Sequence, residues 1–160
     1  MEPRITNPAM SVPGVMDALQ ALSAAASAAA KAAGLPRTTT ELVNLRASQI
    51  NGCAVCLDMH SRGATKAGET SERLHTLAAW RDTPYFSEAE RAALALAEAA
   101  TRLADRADPV PDDVFAEAAR HYDEPALAAL VVSIAAINAW NRLNVSTGQV
   151  TGQWTAQFAA

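Results

Sequence analysis

Late in the chain, Ala126 to Ala139 is a run whose apolar side chains would surround a helix on nearly every side, interrupted only by Ser133 and Asn138. A helix of this kind, opened by Pro125 and continuing to about Leu143, has no face suited to water, so it belongs at the buried centre of other elements. The run itself falls short of the roughly 20 apolar residues that a bilayer span requires. It therefore demands a surrounding shell, and the rest of the chain reads as helices able to supply one.

Val15 to Ala33 is alanine-rich, with Met16, Leu19 and Leu22 at helical spacing, and Gly34-Leu35-Pro36 ends it. Thr38 to Ile50 is the next helix, and Thr38-Thr39-Thr40-Glu41 matches a capping box. Asn51-Gly52 stops or kinks it, so that Cys53 opens a fresh helix to about Lys66. Ser71 to Arg81 carries Leu74, Leu77 and Trp80 on one face, and Ser87-Glu88-Ala89-Glu90 is a second capping box opening a helix to about Leu103. Pro111 suits the first turn of a helix reaching Tyr122. No strand, linker or internal repeat stands out. The reading is all-α: one compact domain over residues 1–160 with about six to seven helices and a core from about 15 to 145. Residues 1–13, with Pro3, Pro8 and Pro13, form an extended arm, and 144–160 a tail.

Half of the residues are hydrophobic and 19% are charged, which marks a globular chain. Its formal net charge of −4 gives no basic footprint for nucleic acid or an anionic membrane. The first residues lack the basic-then-apolar layout of a signal peptide, so a cytoplasmic location is expected.

The chemistry concentrates between Glu41 and His60. Cys53 and Cys56 are the only cysteines, and His60 follows four positions after the second. At about 100° per helical residue, positions 53, 56 and 60 share one stripe, with the His60 imidazole one turn from Cys56. A thiol is nucleophilic as thiolate, an imidazole can take its proton, and a second thiol three residues away can close a disulfide. At a helix N-terminus Cys53 would also feel a partial positive charge that lowers its pKa. Other readings of the same residues remain. The cysteines could be small buried apolar groups, the capping box accounts for Glu41 by itself, and Cys53, Cys56, His60 and Glu41 could together hold zinc. Asn138 reads as structural, Trp80 and Trp140 as core or interface anchors, and His75 and His121 have no role. Gly63-x4-Gly68-Glu69-Thr70 mimics a phosphate loop without its lysine, and Asn144-Val145-Ser146 is a sequon with no use inside a cell.

The spacing Glu41-x11-Cys53-x2-Cys56-x3-His60 resembles the motif of the carboxymuconolactone decarboxylase superfamily, in its AhpD-like alkyl hydroperoxidase branch. LRASQINGC before the motif, TSERLHTLAAWRDTPYFSEAERAALALAEAAT after it and AAINAWNRLNV in the last helix extend the likeness over about residues 15–145. The resemblance implies a compact helical fold assembling as dimers, trimers or hexamers. It implies a thiol-dependent peroxidase or disulfide oxidoreductase: Cys56 attacks a small hydroperoxide, Cys53 resolves the sulfenic acid to a disulfide, and His60 with Glu41 relays the proton through water. No haem, flavin or metal is implied, because electrons come from an external dithiol reductant. Where the best-known hydroperoxidases place a histidine before the second cysteine this chain has Val55, which shortens the relay. The decarboxylases that named the superfamily lack this cysteine pair. A redox-sensing stress protein without turnover and a cofactor-free decarboxylase-like enzyme are the competing functions.

Overall fold

In a computed structural model, which describes residues 1–105 and 107–152, the chain is all-helical, with eight α-helices and two short 3-10 segments among those residues. In order they are α1 (Pro8–Ser11), α2 (Val15–Ala32), α3 (Arg37–Asn51), α4 (Ala54–Lys66), α5 (Ser71–Thr76), α6 (Glu88–Thr101), α7 (Asp112–His121) and α8 (Glu124–Thr147). The 3-10 segments are Leu77–Asp82, kinked at Ala79, and Leu103–Asp105.

The central position of the apolar helix is borne out. Asp123 caps α8 by accepting the Ala126 N–H, Pro125 sits in its first turn, and the helix packs chiefly on α2 and α3, then on α6. At 24 residues it is long and apolar enough to cross a membrane, which the shorter apolar run is not, yet 56% of its most apolar stretch is buried inside the protein. One core joins α8 to α3, α6 and α7 through Val43, Leu96, Ala118, Leu130 and Ile134, and alanines such as Ala93 and Ala97 let the helices approach closely. A second packs Leu42, Leu45, Leu77, Trp80 and Leu94 between α3, α6 and the 3-10 turn. A third, around the cysteines, holds Ala47, Val55 and Ile137.

One buried charge braces the scaffold. Glu98 accepts hydrogen bonds from Arg46 Nε at 2.6 Å, Arg81 Nη1 at 2.8 Å and Trp80 Nε1 at 3.0 Å. Burial works to raise its pKa, but the donors of Arg81, Trp80 and Arg46 prevail and hold the carboxyl below its ordinary value.

Four expectations need correction. The arm over 1–13 is not wholly extended, because Asn7 accepts the Ala9 N–H and starts the short helix α1, which brings the count to eight. The tail does not begin at residue 144, since α8 continues through Thr147 to Gly148; residues 153–160 lie outside the described residues. The segment Ser71–Arg81 is six residues of α-helix followed by 3-10 helix. Finally, the capping box at Thr38–Glu41 does not form. Helix α3 starts one residue earlier, behind Pro36, which has no side-chain acceptor, and the Glu41 carboxylate is engaged elsewhere. The box at Ser87–Glu90 does form, with both reciprocal bonds.

Candidate thiol site

Backbone chemistry between α3 and α4 places the cysteines. Gly52 turns the chain at φ 69°, a left-handed conformation that costs glycine little, and the Cys53 N–H closes the turn on the Ser48 carbonyl. Cys53 then becomes the N-cap of α4, its sulfur accepting the Cys56 N–H at 3.4 Å, as a capping side chain accepts from the third helical residue. Both cysteines are free and buried, with their sulfurs 2.6 Å apart.

The pair shares its protons unequally. A hydrogen bond from the Cys56 thiol is the main reason that Cys53 is lowered to about 6; burial opposes it, while the Cys56 amide and the side chains of Asn144 and Asn141 add to it. The same sulfur–sulfur bond, then burial and the charge on Cys53, push Cys56 well above the usual thiol range. Access runs the other way. Cys56 lines a cavity of about 880 Å³ between α2, α3, α4 and α8, and Cys53 lies behind it.

The same cavity holds the other two residues singled out in the sequence. His60, on α4, meets Glu41, on α3, with Nδ1 2.7 Å from Oε2. An ionised carboxylate only accepts, so this bond puts the imidazole proton on Nδ1 and leaves Nε2 as a proton acceptor. Among the described contacts the imidazole makes no hydrogen bond to either sulfur, so a proton moving between them needs an intermediary. Glu41 also pairs with Arg37 at 3.5 Å and lies hard against Gly63, where a Cβ would stand 2.7 Å from Oε1. The four residues are thus brought together, but as two couples facing one cavity. The four-ligand zinc arrangement is not formed: no three histidine, cysteine or acidic side chains are grouped to hold a metal among the described residues.

Several contributors escaped the sequence reading. Asn144, assigned there to the tail, donates from Nδ2 to Cys56 Sγ at 3.4 Å and to Cys53 Sγ at 3.8 Å. Asn7 of the arm donates to Asn144 Oδ1 at 2.8 Å. Asn44 lines the cavity one turn after Glu41, and its Oδ1 is buried without a hydrogen-bond partner. Trp140 is more than an anchor: it lines the cavity, with its Nε1 donating to Ser23 Oγ. Asn138 is structural as expected, bound to Thr101, Ile134 and Asn51. Val55 packs into the apolar cluster around the cysteines. The signal for Asn144 was available, because a buried amide on an otherwise apolar helix has to find partners.

Residues 13–99 match the sequence profile of the carboxymuconolactone decarboxylase family. The uncharacterized protein YdfG of Bacillus subtilis is 42% identical over 118 residues, 74% of this chain and 79% of that protein. A 43-residue stretch, 27% of this chain and 24% of the other, is 44% identical to the alkyl hydroperoxide reductase AhpD of Methylocella silvestris. Among solved structures, ATU0492 of Agrobacterium tumefaciens superposes with a TM-score of 0.83 at 33% identity, covering 94% of this chain and 98% of that one. It is described as a protein of unknown function suspected of an AhpD antioxidant role. The debrominase Bmp8 shares the fold, with a TM-score of 0.76 at 24% identity over 89% of this chain and 74% of its own.

Proposed function

The chain belongs to the carboxymuconolactone decarboxylase family, and from that footing we propose that it is a thiol-dependent peroxidase and disulfide oxidoreductase of the alkyl hydroperoxidase type. The observation that carries this reading is the pair of free thiols at 2.6 Å, one of them facing a cavity that also contains a carboxylate-oriented imidazole. The likeness to AhpD proteins supports it.

The pair loses its first proton readily, through cavity water, to Nε2 of His60. The resulting single negative charge can rest on either sulfur, since one proton passes between them. With that proton on Cys53, the Cys56 thiolate faces the cavity and attacks the terminal oxygen of a hydroperoxide. An S–O bond forms, the O–O bond breaks, and the departing alkoxide takes the proton held by His60 and leaves as an alcohol. Cys53 then attacks the sulfenic sulfur, an S–S bond forms and water leaves. An external dithiol reduces the disulfide and is itself oxidised to a disulfide, which restores both thiols. Glu41 keeps the imidazole tautomer fixed throughout. A cavity of about 880 Å³ suits an organic hydroperoxide far larger than hydrogen peroxide, and the unpartnered Asn44 oxygen offers its polar end an acceptor. A reducing, cytoplasmic setting would keep the thiols ready. Exposed Leu22, Val131 and Val132 on α2 and α8 support assembly with further copies of the chain.

Consumption of an organic hydroperoxide by the reduced protein with excess dithiol tests the proposal. Wild type should turn over many times, Cys56→Ser not at all, and Cys53→Ser once, stopping at the sulfenic acid. A single turnover by wild type would favour a redox sensor, and activity surviving in both variants would favour a decarboxylase-like enzyme.

A further inference from the structure

We infer that the N-terminal arm belongs to the thiol site: Asn7 is a positioning residue that fixes the Asn144 amide with its NH2 toward Cys53 and Cys56. The argument is a chain of hydrogen bonds whose direction is set at its far end. The Ala9 backbone N–H can only donate, and it donates to Asn7 Oδ1 at 2.9 Å. Asn7 must therefore turn its Nδ2 away from α1, where it donates to Asn144 Oδ1 at 2.8 Å. That leaves Asn144 with only its Nδ2 to offer the sulfurs, at 3.4 Å from Cys56 and 3.8 Å from Cys53. A rotated Asn144 would point a carbonyl oxygen at the thiols and disfavour a thiolate. The cap of a four-residue helix thus decides which end of a buried amide the thiol pair meets.

The arm is held for this purpose at several points. The Arg4 N–H donates to the Thr147 carbonyl at 2.8 Å, Arg4 Nη1 to the Ser146 carbonyl at 3.1 Å, and Gln149 Nε2 to the Ile5 carbonyl at 3.0 Å. Asn7 itself is 2% exposed and its Nδ2 and Oδ1 both have protein partners. The ionisable side chains on the same cavity are Lys31 of α2, Arg37 and Glu41 of α3 and His60 of α4, whereas α8 and the arm present none. Control of the thiols from that side therefore rests on amide orientation. The inference concerns ionisation of the thiols, so it stands whichever electrophile they meet and does not rest on the peroxidase reading.

Two substitutions of Asn7 separate orientation from mere support. Asn7→Asp keeps the capping oxygen and the size but has no donor for Asn144 Oδ1, so Asn144 turns its NH2 toward the new carboxylate and its oxygen toward the sulfurs. Asn7→Ser keeps a capping oxygen and adds no charge, but its shorter side chain draws its hydroxyl donor back from Asn144 Oδ1. The full-length chains are followed by iodoacetamide alkylation from pH 5 to 10, with circular dichroism to establish folding. The midpoint should rise by about one pH unit in Asn7→Ser and further in Asn7→Asp, with alkylation of Asn7→Ser about fivefold slower near pH 6. Unchanged midpoints in both folded variants would overturn the inference. Side-chain amide NMR of the wild type is independent of whether the variants fold. The Asn144 NH2 resonances should move with the thiol midpoint, and resonances that ignore it would equally overturn the inference.

Discussion

Replacing Gly63 by alanine is the sharpest test of how Glu41 works. Gly63 lies inside α4, where alanine is the better helix former by about 1 kcal/mol, so its backbone is no obstacle to the change. The obstacle is the neighbour. The new methyl carbon would stand 2.7 Å from Glu41 Oε1, 2.9 Å from Cδ and 3.0 Å from Oε2, whereas ordinary contact begins at 3.4 Å. The carboxylate must retreat by 3.4 − 2.7 = 0.7 Å. Because it ends a flexible side chain, the retreat itself is inexpensive, and the weakening of its bond to His60 offsets the gain in helix propensity, so the melting temperature should hardly change. A shift of that size can stretch the 2.7 Å bond to His60 to about 3.4 Å. Weakening a charge-assisted hydrogen bond worth about 1.5–3 kcal/mol should slow turnover by up to about tenfold to a hundredfold. In a Glu41→Ala background the three contacts shorter than 3.4 Å are removed, so there Gly63→Ala should stabilise the fold by about 1 kcal/mol and cost no further activity. Hydroperoxide turnover and thermal unfolding of the four chains of this cycle make the test. Full turnover by Gly63→Ala, or an equal slowing in both backgrounds, would refute the reasoning.

The thiol pair should release one proton with a midpoint near 6 and withhold the second beyond the ordinary thiol range, so thiolate absorbance near 240 nm should correspond to one thiolate per chain between pH 7 and 9; two thiolates appearing together near pH 9 would contradict the shared proton. Because Cys53 is lowered from 9.0 to about 6 on folding, its contribution to stability is complete above pH 9 and is lost as pH falls toward 6. Glu98→Ala, which removes the carboxylate partner of Arg46 and the acceptor of Trp80, should cost about 3–5 kcal/mol in denaturant unfolding. Since the Glu98 carboxyl is held below its ordinary 4.5, its stabilisation is present above that pH and lost as pH falls through the lower folded value, so Glu98→Gln should flatten the acid side of the stability profile.

What the sequence made legible was local. The stop at Asn51-Gly52, Cys53 at a helix start and the shared face of Cys56 and His60 each depend on residues within about a turn of one another, and each appears in the fold, although Cys53 caps the helix and does not line the cavity with them. The central helix was legible because an all-round apolar surface leaves no other placement. The capping box at Thr38–Glu41 misled because a carboxylate at that spacing has two uses, and only the packing of α4 on α3 decides between them. Gly63 and Asn7 gave no signal at all. Gly63 matters through the side chain it admits from another helix, and Asn7 through an amide 137 positions away. Neither relation leaves a period or a spacing in one sequence.

That distance bears on how the site comes into being. Asn144 lies 88 residues after Cys56, and its partner Asn7 stands at the opposite end of the chain. Contacts so remote form after the local helices, because the intervening loop must close before they gain anything. During synthesis the cysteines leave the ribosome with each other, Glu41 and His60 beside them but without α8. The sulfur–sulfur hydrogen bond that most lowers Cys53 is local and can form at that stage, whereas the smaller contributions of Asn144 and Asn141 cannot. The thiol pair is therefore set in two stages, first by its own spacing in the chain and last by the docking of α8.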